Sequence, residues 1–305
     1  MLKDFLNENK YKYKENFDLS KYCTYKAGGI AAFIVYPKDT PHLINLIKYL
    51  RKQNIAYDLI GNGSNVLYSD NFYDGVLINL KSFNNLLIQD NMIKVGAGYS
   101  LISLSQKALL NSLTGLEFAS GIPGTVGGAI YMNAGAYKSD MGYITKRCKV
   151  LTPDLKVITL SNAEMKFKYR TSFIKEHKGY ILLEATIILN KGKKDAIEEV
   201  MNDRKARRKA SQPLEYPSAG SVFRNPDSTS AGLLIDEAYL KGYQVGGAAV
   251  STKHANFIVN INKAKALDIK NLICYVQKEI KDKYDIDLKC EQEFKNFENE
   301  KETKN

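Results

Sequence analysis

A glycine-rich run from Thr114 to Tyr137 carries the clearest chemical signal in this sequence. Six glycines and one proline interrupt a stretch that is otherwise mostly apolar. Because glycine has no side chain and readily adopts positive φ, the backbone N–H groups of such a run can approach a ligand closely and form an anion-binding nest. The run therefore predicts a loop that holds a large cofactor bearing phosphate groups.

A shorter glycine loop, Gly61–Asn65, follows an apolar stretch and reads Gly-Asn-Gly-Ser-Asn. It lacks the third glycine of the G-x-G-x-x-G dinucleotide fingerprint, and no long amphipathic helix begins after it. The sequence also lacks the G-x-x-x-x-G-K-[ST] pattern of a phosphate loop. Tight turns alone would explain both glycine loops, but their Gly, Ser, Thr and Asn content favours a dinucleotide held between two subdomains.

The sequence around these loops predicts the strands and helices that position them. Strands and helices alternate at first and are mixed further along the chain. Apolar runs predict strands at Ala31–Tyr36, Ile55–Ile60, Val76–Leu80, Leu86–Ile88, Met92–Val95, Arg147–Leu151, Val157–Leu160, Ile181–Leu189, Ser221–Phe223 and Phe257–Asn260. Periodicity and capping residues predict helices from an N-cap at Thr40 to about Lys52, from Ser100 to near Asn111, at Ala196–Lys209, at Ala231–Ala238 and from about Ala264 to Lys283. The segment Gln212–Pro217, with a proline near each end, indicates an interdomain connection.

Length and composition indicate a protein of two or three domains. The chain has 305 residues, of which 44% are hydrophobic and 25% are charged, as in ordinary globular proteins. The first twenty residues are too polar for a signal-peptide core, and no stretch approaches the ~18 apolar residues of a membrane span. We expect a cytoplasmic protein with no membrane partner. The four cysteines are far apart, so neither a metal site nor a disulfide framework is predicted.

The formal net charge of +11 favours anionic partners such as nucleotide diphosphates. The densest basic run, Arg204–Lys209, lies on a predicted helix that also carries Asp195, Glu198 and Asp203. Nucleic-acid binding predicts a concentrated basic stripe with aromatic residues between the charges, and this helix does not have one. We therefore expect no nucleic-acid partner.

Seven motifs in a fixed order resemble those of the UDP-N-acetylenolpyruvoylglucosamine reductase family over about Tyr22–Glu291. They are Tyr22–Gly29, Gly61–Asn65, Gly115–Glu117, Gly121–Gly128, Asn133–Tyr137, Tyr169-Arg170 and Ser218–Phe223. The resemblance implies an α+β chain with the FAD-binding fold of the vanillyl-alcohol-oxidase (PCMH-type) superfamily. Its two FAD-binding subdomains would cover 1–80 and 81–195, and a smaller α/β substrate-binding domain, with a tail returning toward the active site, would cover 196–305. The short distance from Ser221 to His254 resembles the compact subclass of the family.

The resemblance also implies FAD as cofactor and NADPH as co-substrate. We expect non-covalent FAD, because neither glycine loop contains the His or Cys that a covalent flavin bond would need. The FAD contacts that it implies are Thr24, Gly28, Gly61, Asn62, Gly63, Ser64, Asn65, Gly115, Gly121, Ile122, Pro123, Gly124, Thr125, Gly127, Gly128, Asn133, Gly135 and Ala136.

The reaction that the resemblance implies is reduction of the enolpyruvyl ether of UDP-N-acetylglucosamine to UDP-N-acetylmuramate, a step of peptidoglycan precursor synthesis. Hydride addition leaves negative charge that must delocalise into the substrate carboxylate. Arg170 occupies the position of the family's arginine, and a guanidinium can meet a carboxylate through two parallel hydrogen bonds. Ser221 occupies the position of the residue that then protonates the enolate, with Ser218 as a nearby competitor.

Glu291 corresponds to the family's C-terminal glutamate. A glutamate beside a developing enolate stabilises it only as a hydrogen-bond donor, which requires that burial raise the pKa of the carboxyl group. The family pattern continues as Glu-Val-Arg, whereas this chain continues as Glu291-Gln292-Glu293. We prefer Glu291, because its offset from Leu288 is preserved, and Glu293 is the alternative.

Further positions correspond to substrate contacts in the family. These are Tyr137, Tyr169, Asn225 and His254. Relatives carry a lysine where this chain has Ser211, and that lysine is a candidate for holding a phosphate or the nicotinamide nucleotide. Lys209 is the substitute that we expect, with Arg208 as the alternative.

Two other functions remain open at this point. One is a different FAD oxidoreductase of the same superfamily, against which the set of Arg170, Ser221 and Glu291 argues. The other is a basic nucleic-acid-binding protein, which the dispersed charge disfavours. We expect a monomer.

Overall fold

A computed structural model describes residues 1–297 of the chain. The helices are α1 Leu2–Glu8, α2 Leu19–Tyr22, α3 Thr40–Lys52, α4 Leu101–Leu110, α5 Val126–Tyr131, α6 Met141–Ile144, α7 Phe173–Glu176, α8 Lys194–Ser211, α9 Ala231–Glu237 and α10 Ala266–Tyr284. The strands are β1 Lys12–Asp18, β2 Ile30–Tyr36, β3 Tyr57–Leu59, β4 Val66–Tyr68, β5 Tyr73–Ile78, β6 Leu86–Gln89, β7 Met92–Gly96, β8 Leu113–Thr114, β9 Gly135–Ala136, β10 Ser139–Asp140, β11 Thr145–Leu151, β12 Val157–Ser161, β13 Ile181–Ile188, β14 Asn190–Lys191, β15 Gln244–Val245, β16 Ala248–Val250, β17 Ile258–Asn260 and β18 Glu293–Lys295. None of the helices in this range is long and apolar enough to cross a membrane.

Local capping chemistry accounts for the best-predicted helices. Ser100 caps α4 by accepting a hydrogen bond from the backbone N–H of Ser103, as the sequence predicted. The helix α3 also forms where expected, but Thr40 is not its N-cap. Asp39 fills that position because its carboxylate accepts from the N–H of His42 at 2.9 Å.

The chain folds into two compact units. The first unit comprises Met1–Tyr13, Ile34–Gly61 and Val76–Arg208. It contains an antiparallel five-stranded sheet of order β12-β11-β13-β7-β6. Alternate residues of β7 and β13, including Val95 and Ile187, are fully buried and form a core with α4 and α5. This sheet supports the glycine-rich run.

The second unit comprises Lys14–Phe33, Asn62–Gly75 and the chain from Lys209 onward. Its sheet, β15-β16-β17, is antiparallel and packs against α10. Buried residues recur along one face of α10 at Ile269, Leu272, Ile273, Val276 and Ile280. Near the described end of the chain, β18 pairs in parallel with β4, which follows the Gly61–Asn65 loop.

A four-stranded sheet of order β1-β2-β5-β3 completes the larger sheets of the described residues. In it β3 and β5 pair in parallel, with Tyr57 opposite Val76.

The predicted domains, 1–80, 81–195 and 196–305, remain a prediction. Residues 298–305 of the third lie outside the described part of the chain.

Two predicted segments differ from the structure. Ser221–Phe223 does not form a strand of a continuous ladder but makes single bridges, Ser221 to Phe257 and Phe223 to Cys290. The reason is that the segment lies between two different neighbours and bonds to each for only a residue or two. The glycine-rich run is also more regular than a simple loop, since it contains α5, a 3₁₀ turn at Glu117–Ala119 and β9, which pairs with β10 just after the run.

Candidate active site and cofactor loops

The glycine-rich run is held at its start by a buried carboxylate. The two oxygens of Glu117 accept from the hydroxyl of Thr114 at 2.6 Å and from the N–H of Gly115 at 2.8 Å. Glu117 is buried, and Gly115 has a φ of +124°, which suits glycine. This carboxylate therefore shapes the entry to the run.

The middle of the run leads into α5. Thr125 caps the helix, because its hydroxyl oxygen accepts from the N–H of Gly128 at 3.2 Å. The N–H of Gly127 donates to the carbonyl of Ala97 at 2.7 Å, and a Cβ at Gly127 would lie only 3.0 Å from that oxygen. Gly127 is therefore required for close packing of α5 against the chain that follows β7.

The first residue of the short glycine loop lies beside the glycine-rich run, and both belong to the first unit. A Cβ built on Gly61 would lie 3.0 Å from the hydroxyl oxygen of Thr125. Beside them, a Cβ built on Gly124 would meet no described atom within 4 Å, and Pro123 is exposed while Ile122 is half-buried. Bare backbone facing open space is the surface that a large cofactor requires, so these residues fit FAD.

The part of the short glycine loop that belongs to the second unit is attached to Thr24. The N–H and the hydroxyl of Thr24 both donate to the carbonyl of Gly63, at 3.1 and 3.3 Å. Gly63 has a φ of +64°, and a Cβ there would lie 2.9 Å from the sulfur of Cys23. Asn62 is exposed and Ser64 is half-buried. Gly28 also has positive φ, at +120°.

Asn133 lies inside the protein although the resemblance assigns it to the cofactor. It is 2% exposed, its amide nitrogen donates to the carbonyl of Lys168 at 2.9 Å, and its amide oxygen accepts from the N–H of Gly142 at 2.8 Å. Its φ of +44° is one that asparagine tolerates well. Asn133 therefore fixes the turn that carries Tyr169 and Arg170.

That turn is closed by two backbone hydrogen bonds between Lys168 and Thr171, both 3.1 Å long. Arg170 is half-buried with a φ of +55°, and its guanidinium carbon lies 5.0 Å from the centre of the Tyr169 ring. The strained backbone and the aromatic neighbour restrict where the guanidinium can point.

The end of the glycine-rich run packs against α8. Gly135 and Ala136 form β9 and pair with Asp140 and Ser139. The hydroxyl of Tyr137 donates to the carbonyl of Arg204 at 3.3 Å, and the Arg204 guanidinium lies 4.8 Å from the ring centre.

Arg208 on α8 reaches the glycine-rich run as well. A Cβ built on Gly121 would lie 2.7 Å from a terminal nitrogen of Arg208. Burial lowers the pKa of the Arg208 guanidinium, and Tyr137 partly offsets that effect. Lys209, by contrast, is exposed, and its carbonyl accepts from the ammonium of Lys253 at 2.8 Å.

Ser221 and Glu291 lie on neighbouring segments of the second unit. Between them is Val222, whose carbonyl accepts from the N–H of Glu291 at 2.7 Å. Beside Ser221, Gly220 has a φ of +78°, and a Cβ built there would meet no described atom within 4 Å. The structure therefore joins two predicted catalytic residues next to open backbone. Glu293 instead lies on β18, 3.8 Å from the ammonium of Lys295.

Asn256, which sequence reasoning missed, fixes the other side of the Ser221 segment. It is 4% exposed, and its side chain accepts from the N–H of Phe223 and donates to the carbonyl of Phe223, both at 2.9 Å. Its own N–H donates to the ring nitrogen Nδ1 of His254 at 3.2 Å. Its position two residues after His254 was the only sequence signal.

The two remaining substrate candidates of the second unit differ in their surroundings. Burial is the main cause that lowers the pKa of His254, and Lys241 lowers it further, against the effect of a backbone hydrogen bond. Asn225 is exposed, and its amide oxygen accepts from the N–H of Ala231 at the start of α9.

Comparison with known proteins agrees with these features. Residues 31–161 match a family described as an FAD binding domain, and residues 212–295 match the UDP-N-acetylenolpyruvoylglucosamine reductase C-terminal domain. The fold and the glycine loops thus define an FAD-binding oxidoreductase, and the fold class inferred from the sequence is confirmed.

Full-length relatives narrow the family. The chain is 45% identical to the UDP-N-acetylenolpyruvoylglucosamine reductase of Caldanaerobacter subterraneus subsp. tengcongensis over 94% of each chain. It is 45% identical to that of Anoxybacillus flavithermus over 95% of this chain and 96% of the other. The crystal structure of the reductase from Thermus caldophilus superposes with a TM-score of 0.80 at 33% identity, covering 93% of this chain and 98% of that one. The chain belongs to the UDP-N-acetylenolpyruvoylglucosamine reductase family, and the resemblance seen in the sequence is confirmed.

Proposed function

We propose that this protein uses NADPH to reduce the enolpyruvyl ether of UDP-N-acetylglucosamine to UDP-N-acetylmuramate. The observation that carries the proposal is the hydrogen bond from the N–H of Glu291 to the carbonyl of Val222, which places Glu291 on the segment next to Ser221. Family membership supplies the substrate class. Ser221, Arg170 and Glu291 supply groups that suit each requirement of the reaction.

FAD would be held by the two glycine loops, with Gly124 at the open backbone surface and Gly61 and Thr125 beside it. When bound, FAD supplies a two-electron carrier that accepts a hydride from NADPH and gives it up to the double bond of the substrate. The protein's own contribution is to hold the substrate, to stabilise the charge that develops and to deliver one proton.

Arg170 would bind the substrate carboxylate, into which the negative charge delocalises after hydride addition. Its guanidinium keeps its proton and can make two parallel hydrogen bonds to a carboxylate. The Asn133-anchored turn limits the motion of this side chain. Tyr137, Tyr169, Asn225 and His254 are proposed as further substrate contacts.

Ser221 would protonate the α-carbon of the enolate. A serine hydroxyl is a weak acid, but an enolate is a strong base, so the position of the hydroxyl matters more than its ground-state acidity. The open space beside Gly220 gives a substrate access to this segment. Glu291, which is half-buried, would stabilise the enolate as a hydrogen-bond donor.

Arg208 is our preferred substitute for the lysine that relatives carry where this chain has Ser211. It is half-buried and its guanidinium lies at Gly121 of the glycine-rich run, whereas Lys209 is exposed. A partly desolvated guanidinium interacts more strongly with a phosphate than an exposed ammonium does. A monomeric, cytoplasmic enzyme remains part of the proposal.

Anaerobic turnover tests this function. NADPH should bleach the visible flavin absorption of the purified holoenzyme, and the UDP-enolpyruvyl sugar should restore it with formation of UDP-N-acetylmuramate. In deuterium oxide, the new α-carbon centre should carry one deuterium, because the serine hydroxyl exchanges with solvent. Restoration by oxygen but not by the sugar would instead favour another oxidoreductase of the superfamily.

A further inference from the structure

Gln292 is a buried polar residue at a position where the family pattern has valine. It is 4% exposed and directly follows Glu291. Its amide nitrogen donates to the carbonyls of Ala219 at 3.2 Å and Gly220 at 3.3 Å, with a longer contact of 3.5 Å to the carbonyl of Ser221. The two hydrogens of one amide group therefore bind the carbonyls of Ala219 and Gly220, and the carbonyl of Ser221 lies close by.

The other end of the Gln292 amide is also fixed. Its oxygen accepts from the hydroxyl of Tyr25 at 2.8 Å, and Tyr25 is fully buried. Because the loop carbonyls can only accept, the amide nitrogen must face the loop and the amide oxygen must face Tyr25. The hydroxyl of Tyr25 thus holds the amide from its other end.

The Ser221 loop needs this support because of its shape. Gly220 has a φ of +78°, and a Cβ built on it would meet no described atom within 4 Å, so one side of this turn is open. The inner side is held through its carbonyls. A carbonyl away from water that loses its donor is destabilised, so without the Gln292 amide this loop would shift to find other donors.

We infer that Gln292, held at its other end by Tyr25, is a positioning residue that holds Ser221 and Glu291 in register for the protonation step. Glu291 is held by its own N–H bond to the carbonyl of Val222, and the side chain of Gln292 fixes the adjoining segment that carries Ser221. This inference rests on the proposed function, since it assigns to Gln292 no chemistry of its own. Proton delivery depends steeply on distance and direction, so a small displacement of the serine should slow it.

Two substitutions test the inference in the FAD-loaded enzyme. Gln292→Met keeps the length of the side chain but removes its hydrogen bonds, and Tyr25→Phe removes only the hydroxyl. Both variants should reduce FAD with NADPH at close to the parent rate. Reoxidation by the UDP-enolpyruvyl sugar should slow by about tenfold or more in Gln292→Met and by a smaller factor in Tyr25→Phe.

A matched control and a double variant separate positioning from general damage. Gln277 also donates its amide, to the carbonyl of Leu288 at 2.8 Å in the same C-terminal segment, so Gln277→Met should leave both half-reactions unchanged. In a Ser221→Ala background, Gln292→Met should cause little further slowing, because two residues acting through one step are not additive.

The inference is overturned if the Gln292→Met enzyme, with normal FAD content, is reoxidised by the UDP-enolpyruvyl sugar at the parent rate. It is also overturned if Gln292→Met slows reoxidation by the same factor in the Ser221→Ala background as in the parent. If Gln292→Met does not fold, Tyr25→Phe decides, and parent-like reoxidation in that variant overturns the inference too. Should Ser221→Ala alone leave reoxidation unimpaired, the serine assignment fails first and the positioning role fails with it.

Discussion

The side-chain amide of Asn65 donates a hydrogen bond to the carbonyl of Glu291 at 3.2 Å. Two residues later along the tail, the N–H of Glu293 donates to the carbonyl of Asn65 at 3.1 Å. The last residue of a cofactor loop therefore holds the tail that carries the proposed catalytic glutamate. Within the second unit, Asn65 of the predicted FAD loop and the segment that carries the proposed catalytic Glu291 are parts of one hydrogen-bonded structure.

This arrangement distinguishes the two candidate glutamates. Glu291→Gln removes an acid while keeping the side-chain shape, so reoxidation of reduced FAD by the UDP-enolpyruvyl sugar should slow by about tenfold or more. Glu293→Gln is the matched control, because Glu293 lies on β18 near Lys295. It should change the rate less than about twofold. Rapid-mixing absorbance measures both, and the reverse ranking would transfer the role to Glu293.

The open surface at Gly124 predicts a variant that is stable but binds FAD poorly. A Cβ there meets no described protein atom within 4 Å, so Gly124→Ala should change the stability of the apoprotein by less than about 0.5 kcal/mol. The new methyl group would occupy the space that the cofactor needs, and we expect the Kd for FAD to rise by about tenfold or more.

A glycine in the second unit provides the control for that experiment. A Cβ at Gly232 would make an ordinary contact of 3.6 Å with the Asn256 side chain, so Gly232→Ala should leave FAD affinity unchanged. Titration of both apoproteins with FAD, followed by flavin fluorescence, gives the two constants. Parent-like affinity in Gly124→Ala would place the cofactor elsewhere.

Arg208 and Lys209 are adjacent in sequence but differ in burial, which makes them a natural pair for comparison. Arg208→Met should raise the KM for NADPH or for the UDP sugar by about tenfold, because a partly buried cation that faces an anion is lost. Lys209→Met should change either constant by less than about threefold. Steady-state kinetics at two ionic strengths would measure both KM values. A larger rise in KM for Lys209→Met than for Arg208→Met would make Lys209 the preferred substitute for the lysine of the relatives.

His254 predicts a pH effect on stability. Burial lowers the pKa of its imidazole below the ordinary value of 6.5, so the unfolded chain binds more protons there than the folded one. Stability from this residue must then rise with pH and fall as the solution is acidified below about pH 7. His254→Gln should lose less stability than the parent between about pH 7.5 and 5 in denaturant titrations. If the free energies of unfolding of the parent and of His254→Gln fell equally with pH, burial of His254 would not be the cause of the acid-dependent loss of stability.

Much of the scaffold was accessible from local sequence signals. The α4 cap at Ser100 and the antiparallel pairing of Val157–Leu160 with the preceding strand follow from periodicity and capping, which are short-range effects. The parallel pairing of β18 with β4 was not accessible, because it joins segments more than two hundred residues apart. The segment Ser221–Phe223 was wrongly predicted as a strand, because local periodicity does not show that it bonds to two different neighbours for only a residue or two each.

The site was partly predictable for a different reason. Motif order assigned roles to Ser221, Arg170 and Glu291, and those roles stay predictions. Residues that act through buried hydrogen-bond partners belong to no motif. Asn133 stays a predicted cofactor contact, and the motif gave no sign that its side chain also bonds to Lys168 and Gly142. Asn256 and Gln292 are polar residues that the structure buries. Their hydrogen-bond partners lie far away in sequence, so no local pattern indicates them.

The rate of each half-reaction in Ser221→Ala tests the central claim most directly. Anaerobic rapid mixing with NADPH should show FAD reduction at the parent rate, because Ser221 has no part in that step. Subsequent mixing with the UDP-enolpyruvyl sugar should show reoxidation slowed by ~10² or more, the usual scale for loss of a general acid. Reoxidation of the variant at the parent rate, with UDP-N-acetylmuramate as product, would contradict the account.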